Sequence, residues 1–168
     1  MHTLTAFFIC SVVATAALGA PMQAGVAERD ITPQAAVPLW GYTAMNRPEN
    51  QSTGTLDPLM AKVLVLECGD RRVALVGLDL GRAPEEGMVD RLRAYGREEA
   101  GLAEVFFVGS HTHHGPAAEV DTMDVDALPE AFRALADYYV HLETALREAL
   151  ARSEEHTSEL QSHAPSSY

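Results

Sequence analysis

Hydrophobic positions along the chain change rhythm several times, and each change predicts an element. Leu4 to Leu18 is an unbroken apolar run, about as long as the core of an export signal and too short to span a bilayer comfortably. Gly25 to Ile31 is loosely apolar and stops at Thr32-Pro33, which predicts a short strand followed by a turn. Val37 to Tyr42 is an aromatic loop or edge strand, and Asn46 to Asp57 is polar with Pro and Gly. The latter reads as a surface loop and a candidate rim for a binding site. Ala61 to Glu67 and Arg72 to Leu80 are two β-rich runs flanking Cys68-Gly69-Asp70-Arg71, the pattern of an antiparallel hairpin.

The rhythm then lengthens. Met88, Leu92 and Tyr95 recur at three-to-four spacing, predicting an amphipathic helix over 84–100 that Gly101 closes. Pro84 suits its first turn, and Glu85 and Glu86 suit the positive end of its dipole. Glu104 to Gly109 is a short continuous apolar run, of the kind that packs mid-sheet with helices on its faces. From Pro129 to Ala151, Phe132, Leu135, Tyr139, Leu142, Leu146 and Leu150 keep a helical rhythm, which predicts a long helix covering the sheet.

Strand, helix and strand in succession form a βαβ unit with parallel strands and a right-handed crossover. The predicted class is therefore α/β: a partial mixed sheet with a β-hairpin, a βαβ unit and covering helices, occupying 25–151. That topology brings Asp79 and the residues after Gly109 to one carboxyl edge, where open α/β sheets put their chemistry.

Composition narrows the function. A formal charge of −12 over 168 residues offers no basic stripe for a phosphate backbone, so nucleic acid is excluded as a partner. Gly19 and the residues around it are small, and residues 1–19 are expected to act as a signal peptide, sending the chain to the periplasm or out of the cell. The first three residues carry no Lys or Arg, which leaves an uncleaved anchor or a buried helix as alternatives. Of the two cysteines, Cys10 would leave with the signal and Cys68 would stand alone, so there is no disulfide framework and no thiolate metal site. Any metal must be held by His and carboxylate. Arg152 to Ser162 (RSEEHTSELQS) reads as the translation of a common short-read sequencing adapter. Residues 152–168 are therefore expected to be an artefactual, disordered tail, with the natural chain broken off before it.

The candidate chemistry lies in Gly109 to Pro116, GSHTHHGP. His111 and His113 are two apart, so persisting strand geometry would point both imidazoles to one face. Zn²⁺ prefers neutral imidazole nitrogens in a tetrahedral set and, in catalytic sites, keeps one position open for water. Three histidines in four residues at the end of a core strand are hard to explain as packing, because His is costly to bury without partners. His114 points the other way, in a supporting or structural role. Asp79, at the end of the neighbouring strand, has two possible roles: fixing the tautomer of a ligand imidazole or capping its own loop. Trp40 and Tyr42 are candidates for a lipid-binding rim or for core.

In order, GVAERDITP, PLWGY, LDPLMAKVLVLE, VALVGLDLG and VGSHTHHGPAA resemble the N-terminal domain of the neutral/alkaline non-lysosomal ceramidases, over Gly25 to about Ala151. The H-T-H-x-G-P element is the specific part. The resemblance implies an exported zinc enzyme that hydrolyses an N-acyl amide, ceramide giving sphingosine and fatty acid, with a lipid-like substrate reached at a membrane surface. It implies His111 as a zinc ligand and His113 as the residue contacting the reacting amide. The family's other ligands, a His, a Glu and a Tyr, come from further along the chain, so the piece by itself is expected to be inactive and to represent the incomplete N-terminal part of a larger catalytic domain. His141 lies outside the motif, on the predicted final helix. His114 stands where ceramidases commonly have Ser.

Two other readings remain open at this stage. An amidohydrolase-type barrel also ends a strand with H-x-H, although there the pair sits on the first barrel strand. A secreted binding module would use the histidines for a structural metal or for none. The metallo-β-lactamase pattern fails, because Gly115 and Pro116 occupy its Asp and second His positions.

Overall fold

The computed structural model describes residues 21–41, 51–117, 130–153 and 158–159. The expected signal segment, Tyr42, the first part of the polar loop and most of the expected tail lie outside them. The elements run β1 (Met22–Asp30), β2 (Met60–Cys68), β3 (Arg71–Leu78), α1 (Glu86–Glu98), β4 (Glu104–Gly109), α2 (Glu130–Arg152) and β5 (Ser158–Glu159), and the strand order is β4-β3-β2-β1-β5. The α/β class holds, with a mixed sheet: β1, β2 and β3 are antiparallel neighbours and β3 pairs parallel with β4. The two-residue β5 pairs with Gln23 and Ala24 at the far edge.

Local sequence accounts for each joint. Gly69 takes φ 62° in the turn between β2 and β3. A positive φ at the first central residue alone fits a type II′ turn, whose twist matches the flanking strands. The Asp30 carboxylate accepts the Thr32 amide at 2.8 Å and so bends the chain after β1. α1 begins at Glu86 with Glu85 as its N-cap, placing Pro84 just ahead of the helix rather than within its first turn. Its C-terminal end closes as Leu102 N–H donates to the Gly96 carbonyl at 2.8 Å, with Gly101 left-handed.

Alternation decides which face is buried. Ala61, Val63 and Val65 on β2, Ala74, Val76 and Leu78 on β3, and Val105 on β4 all point to one side and are buried. The two helices cover that side, α2 over β1 and β2 and α1 over β4, and they also touch each other. The rhythm expected of α2 is realised in Leu135, Leu142, Leu146 and Leu150, all essentially inaccessible. Each such side chain contributes roughly 1.5–3 kcal/mol. α1 approaches β4 closely at Gly96, where an added Cβ would lie 2.8 Å from a Val105 methyl.

The opposite side of the sheet differs from expectation. A continuous apolar strand such as Glu104 to Gly109 predicts burial on both faces, yet β4 ends the strand order and none of the described elements packs on its outer face. Val26, Leu64, Leu75 and Phe106 are register partners across four strands, with Val26 at 59% and Phe106 at 47% exposure, and Val108 beside them at 60%. Among the described residues no helix is long and apolar enough to cross a membrane.

Candidate functional site

β4 stops at Gly109, and the chain leaves the sheet with two further hydrogen bonds, Ser110 N–H to the Leu78 carbonyl (2.9 Å) and His111 N–H to that of Leu80 (3.1 Å). At His111 the backbone turns left-handed, with φ 63°. Strand alternation thus ends before the motif begins, and the expected route to a shared face does not apply. The rings nevertheless converge: the His111 and His113 centroids are 5.5 Å apart with planes at 67°. A loop, rather than the pleat, brings them together. A positive φ is uncommon for a residue bearing a Cβ, costs about 1–3 kcal/mol, and clusters at functional sites.

Neighbouring segments clamp that loop on both sides. Pro38 to Trp40 runs alongside Gly115 to Ala117 through Trp40 N–H to the Gly115 carbonyl (3.0 Å) and Ala117 N–H to the Pro38 carbonyl (2.8 Å). The Tyr139 hydroxyl on α2 donates to the Ala117 carbonyl at 3.0 Å, tying the loop to the covering helix. On the other side His111 Nδ1 lies 3.1 Å from the Gly81 carbonyl oxygen. A carbonyl only accepts, so this hydrogen bond puts a proton on Nδ1; in the neutral ring Nε2 then carries the lone pair with which imidazole binds a metal.

Trp40 completes the arrangement. Its ring meets His111 at 4.8 Å (74°) and His113 at 4.9 Å (84°), both edge-on. Aromatic contacts of this kind contribute about 0.5–1.5 kcal/mol each beyond area burial, comparable to the strain at His111. Two glycines make the room. A Cβ on Gly81 would fall 2.1 Å from the indole Cδ2, and one on Gly41, whose φ is 86°, would fall 2.5 Å from His113 Nδ1.

The other sequence candidates fall as follows. Asp79 Oδ2 accepts the Met60 N–H at 3.0 Å and the Asp79 N–H donates to the Met60 carbonyl at 3.0 Å, so this carboxylate closes the loop after β3. The group that meets His111 is the Gly81 carbonyl. His114 is exposed, and its backbone N–H donates to the Thr112 hydroxyl at 3.2 Å. His141 sits on the exposed side of α2. The contributions of Gly81, Gly41 and Tyr139 are not visible in sequence, since a backbone carbonyl, a missing Cβ and a helical Tyr carry no motif.

Of the two imidazoles, His111 fits a zinc ion: with Nδ1 tied to the Gly81 carbonyl, Nε2 of the neutral ring is the kind of donor that ion takes. Among the described residues no group of three or more His, Cys, Asp and Glu is arranged to hold a metal, so this part of the chain supplies at most a pair of ligands.

No family model matches the chain, and no curated protein matches it. Solved structures do match, two ceramidases among them. Neutral ceramidase from Pseudomonas aeruginosa aligns with TM-score 0.59 at 21% identity, over 83% of this chain and 22% of that one. A ceramidase complexed with C2 aligns with TM-score 0.60 at 21% identity, again over 83% and 22%. The chain thus spans about a fifth of the length of these proteins, and its fold is ceramidase-like, corresponding to part of a ceramidase domain.

Proposed function

We propose that this chain belongs to an exported, zinc-dependent hydrolase of N-acyl amides, acting on a lipid-like substrate such as ceramide at or near a membrane surface. The observation that carries this reading is the His111–His113 pair, 5.5 Å apart at the carboxyl edge of a ceramidase-like sheet, with His111 Nδ1 tied to a carbonyl. His111 is the metal ligand, presenting Nε2. His113, held against the bare Cα of Gly41, contacts the reacting amide, where it is placed to hydrogen-bond the scissile group and pass a proton to the departing amine. When bound, zinc supplies Lewis acidity toward the amide carbonyl. Hydrolysis adds the elements of water across the C–N bond and yields a carboxylic acid and an amine. Full activity is proposed for a chain of ceramidase length, because a tetrahedral ion needs more groups than this pair.

Calorimetric titration of the 168-residue chain with Zn²⁺ tests the reading. Weak uptake is expected, lost in His111→Ala and retained in His113→Ala, with no turnover of an N-acyl amide by the piece alone. Absence of zinc uptake by the unsubstituted chain, or uptake indifferent to His111→Ala, refutes it.

A further inference from the structure

We infer that Trp40 is a positioning residue for the imidazole pair, an indole wedge that sets the directions of His111 and His113 together. The inference rests on the reading of those two rings as the working groups. Trp40 is the protein's sole tryptophan, it is only half-buried, and it is absent from the buried cluster that forms the core. Its neighbours are instead the two imidazoles, at 4.8 and 4.9 Å. The indole touches both, so the direction of one ring depends on the direction of the other through it.

The backbone keeps the wedge in register. Trp40 N–H bonds to Gly115 in the same loop that carries both histidines, so movement of the loop carries the indole with it. Gly81 works on two sides of the cluster: its Cα faces the indole, leaving no room for a Cβ, while its carbonyl oxygen faces His111 Nδ1. Gly41, directly after Trp40, lets His113 close onto the main chain. Residues 40–41 and 81 thus form a cradle whose only large side chain is Trp40. No strand pleat orients the histidines in this loop, and the cradle gives both rings contacts that fix their direction.

Nuclear magnetic resonance on the full chain without metal tests the claim, comparing the unsubstituted protein with Trp40→Leu and Trp40→Phe. In the unsubstituted protein, indole-to-imidazole and His111-to-His113 cross-relaxation is expected, with single-rotamer χ1 couplings for both histidines. In Trp40→Leu the inter-ring signals should vanish and both couplings should average, while the amide resonances of α2 and the β2–β3 hairpin stay in place. Trp40→Phe should restore the ordered couplings. A leucine variant that keeps the inter-ring signals and couplings overturns the inference, as does an unsubstituted protein without indole-to-imidazole signals. If Trp40→Leu does not fold, Trp40→Met, which fills volume without a ring, takes its place under the same criteria. Zn²⁺ titration separates this inference from the proposed function. Trp40→Leu should weaken uptake about tenfold or more, as loss of a residue that orients a ligand does. If the unsubstituted chain takes up no zinc, the hydrolase reading falls while the metal-free spectra still decide the role of Trp40.

Discussion

At His111 three local facts act together: a left-handed backbone, an Nδ1 that faces a carbonyl and an indole against the ring. The contacts from Gly81 and Trp40 offset the backbone strain, so the residue's conformation depends on both neighbours being in place. Gly81→Ala tests this dependence, because the new methyl would lie 2.1 Å from the indole. Trp40 must move, and forced repacking of that kind costs about 1–3 kcal/mol. We expect a lower melting temperature by calorimetry and loss of zinc uptake in the same variant. An alanine variant that melts and binds as the parent does would show that the cradle is loose. Trp40, rim or core by sequence, lies half-buried against the imidazoles, and Tyr42 lies outside the described residues.

Between elements, the clearest electrostatic join is Glu143 of α2, which takes Arg91 of α1 at 2.9 Å and Arg147 of its own helix at 2.7 Å. Burial by itself pushes the Glu143 carboxyl up, but the hydrogen bonds and charges of Arg91 and Arg147 outweigh it and hold the group below its ordinary value. Arg147 also lies over the Tyr95 ring at 5.0 Å, adding a second α1–α2 contact. A carboxyl with a depressed folded value contributes stability above its unfolded value and loses it as pH falls through the folded one. Glu143→Gln should therefore lower the melting temperature near neutrality, by the equivalent of about 1 kcal/mol or less. The gap to the parent should close as pH drops below the carboxylate range. A gap that persists in acid would place the effect in packing rather than charge. Sequence periodicity identified both helices within two residues of their observed starts, since a buried stripe at helical spacing is a local property. That Arg91 meets Glu143 depends on the packing of two helices and has no local signature.

At the scale of the molecule, the sheet face that the helices cover and the face that no described element covers have different consequences. The covered face holds the core. The face that no described element covers carries an apolar line from Val26 through Leu64 and Leu75 to Phe106, and β4, last in the strand order, adds Val108. Exposed contiguous apolar surface and an open apolar edge strand both promote association between chains. The double substitution Phe106→Thr and Val108→Thr should reduce light scattering and shift gel-filtration elution toward the monomer, with the melting temperature nearly unchanged because these side chains are about half exposed. Unchanged scattering would mean that this face does not drive association.

The chain's own pattern was sufficient for the hairpin, the parallel pairing of β3 with β4, both helices and the choice of His111 and His113 as the groups to watch. These follow from periodicity, turn chemistry and the position of a motif after a strand, all of which act over a few neighbouring residues. The directions of the two rings were decided only in three dimensions. The pleat that would have aligned them ends at Gly109, and their convergence comes from Trp40, Gly41 and Gly81, which lie 30 or more positions away in sequence for His111 and reach the site only through the fold. Asp79 illustrates the same limit: its position at a strand end was legible, but whether its carboxylate would face an imidazole or the Met60 amide depended on where β2 begins beside it.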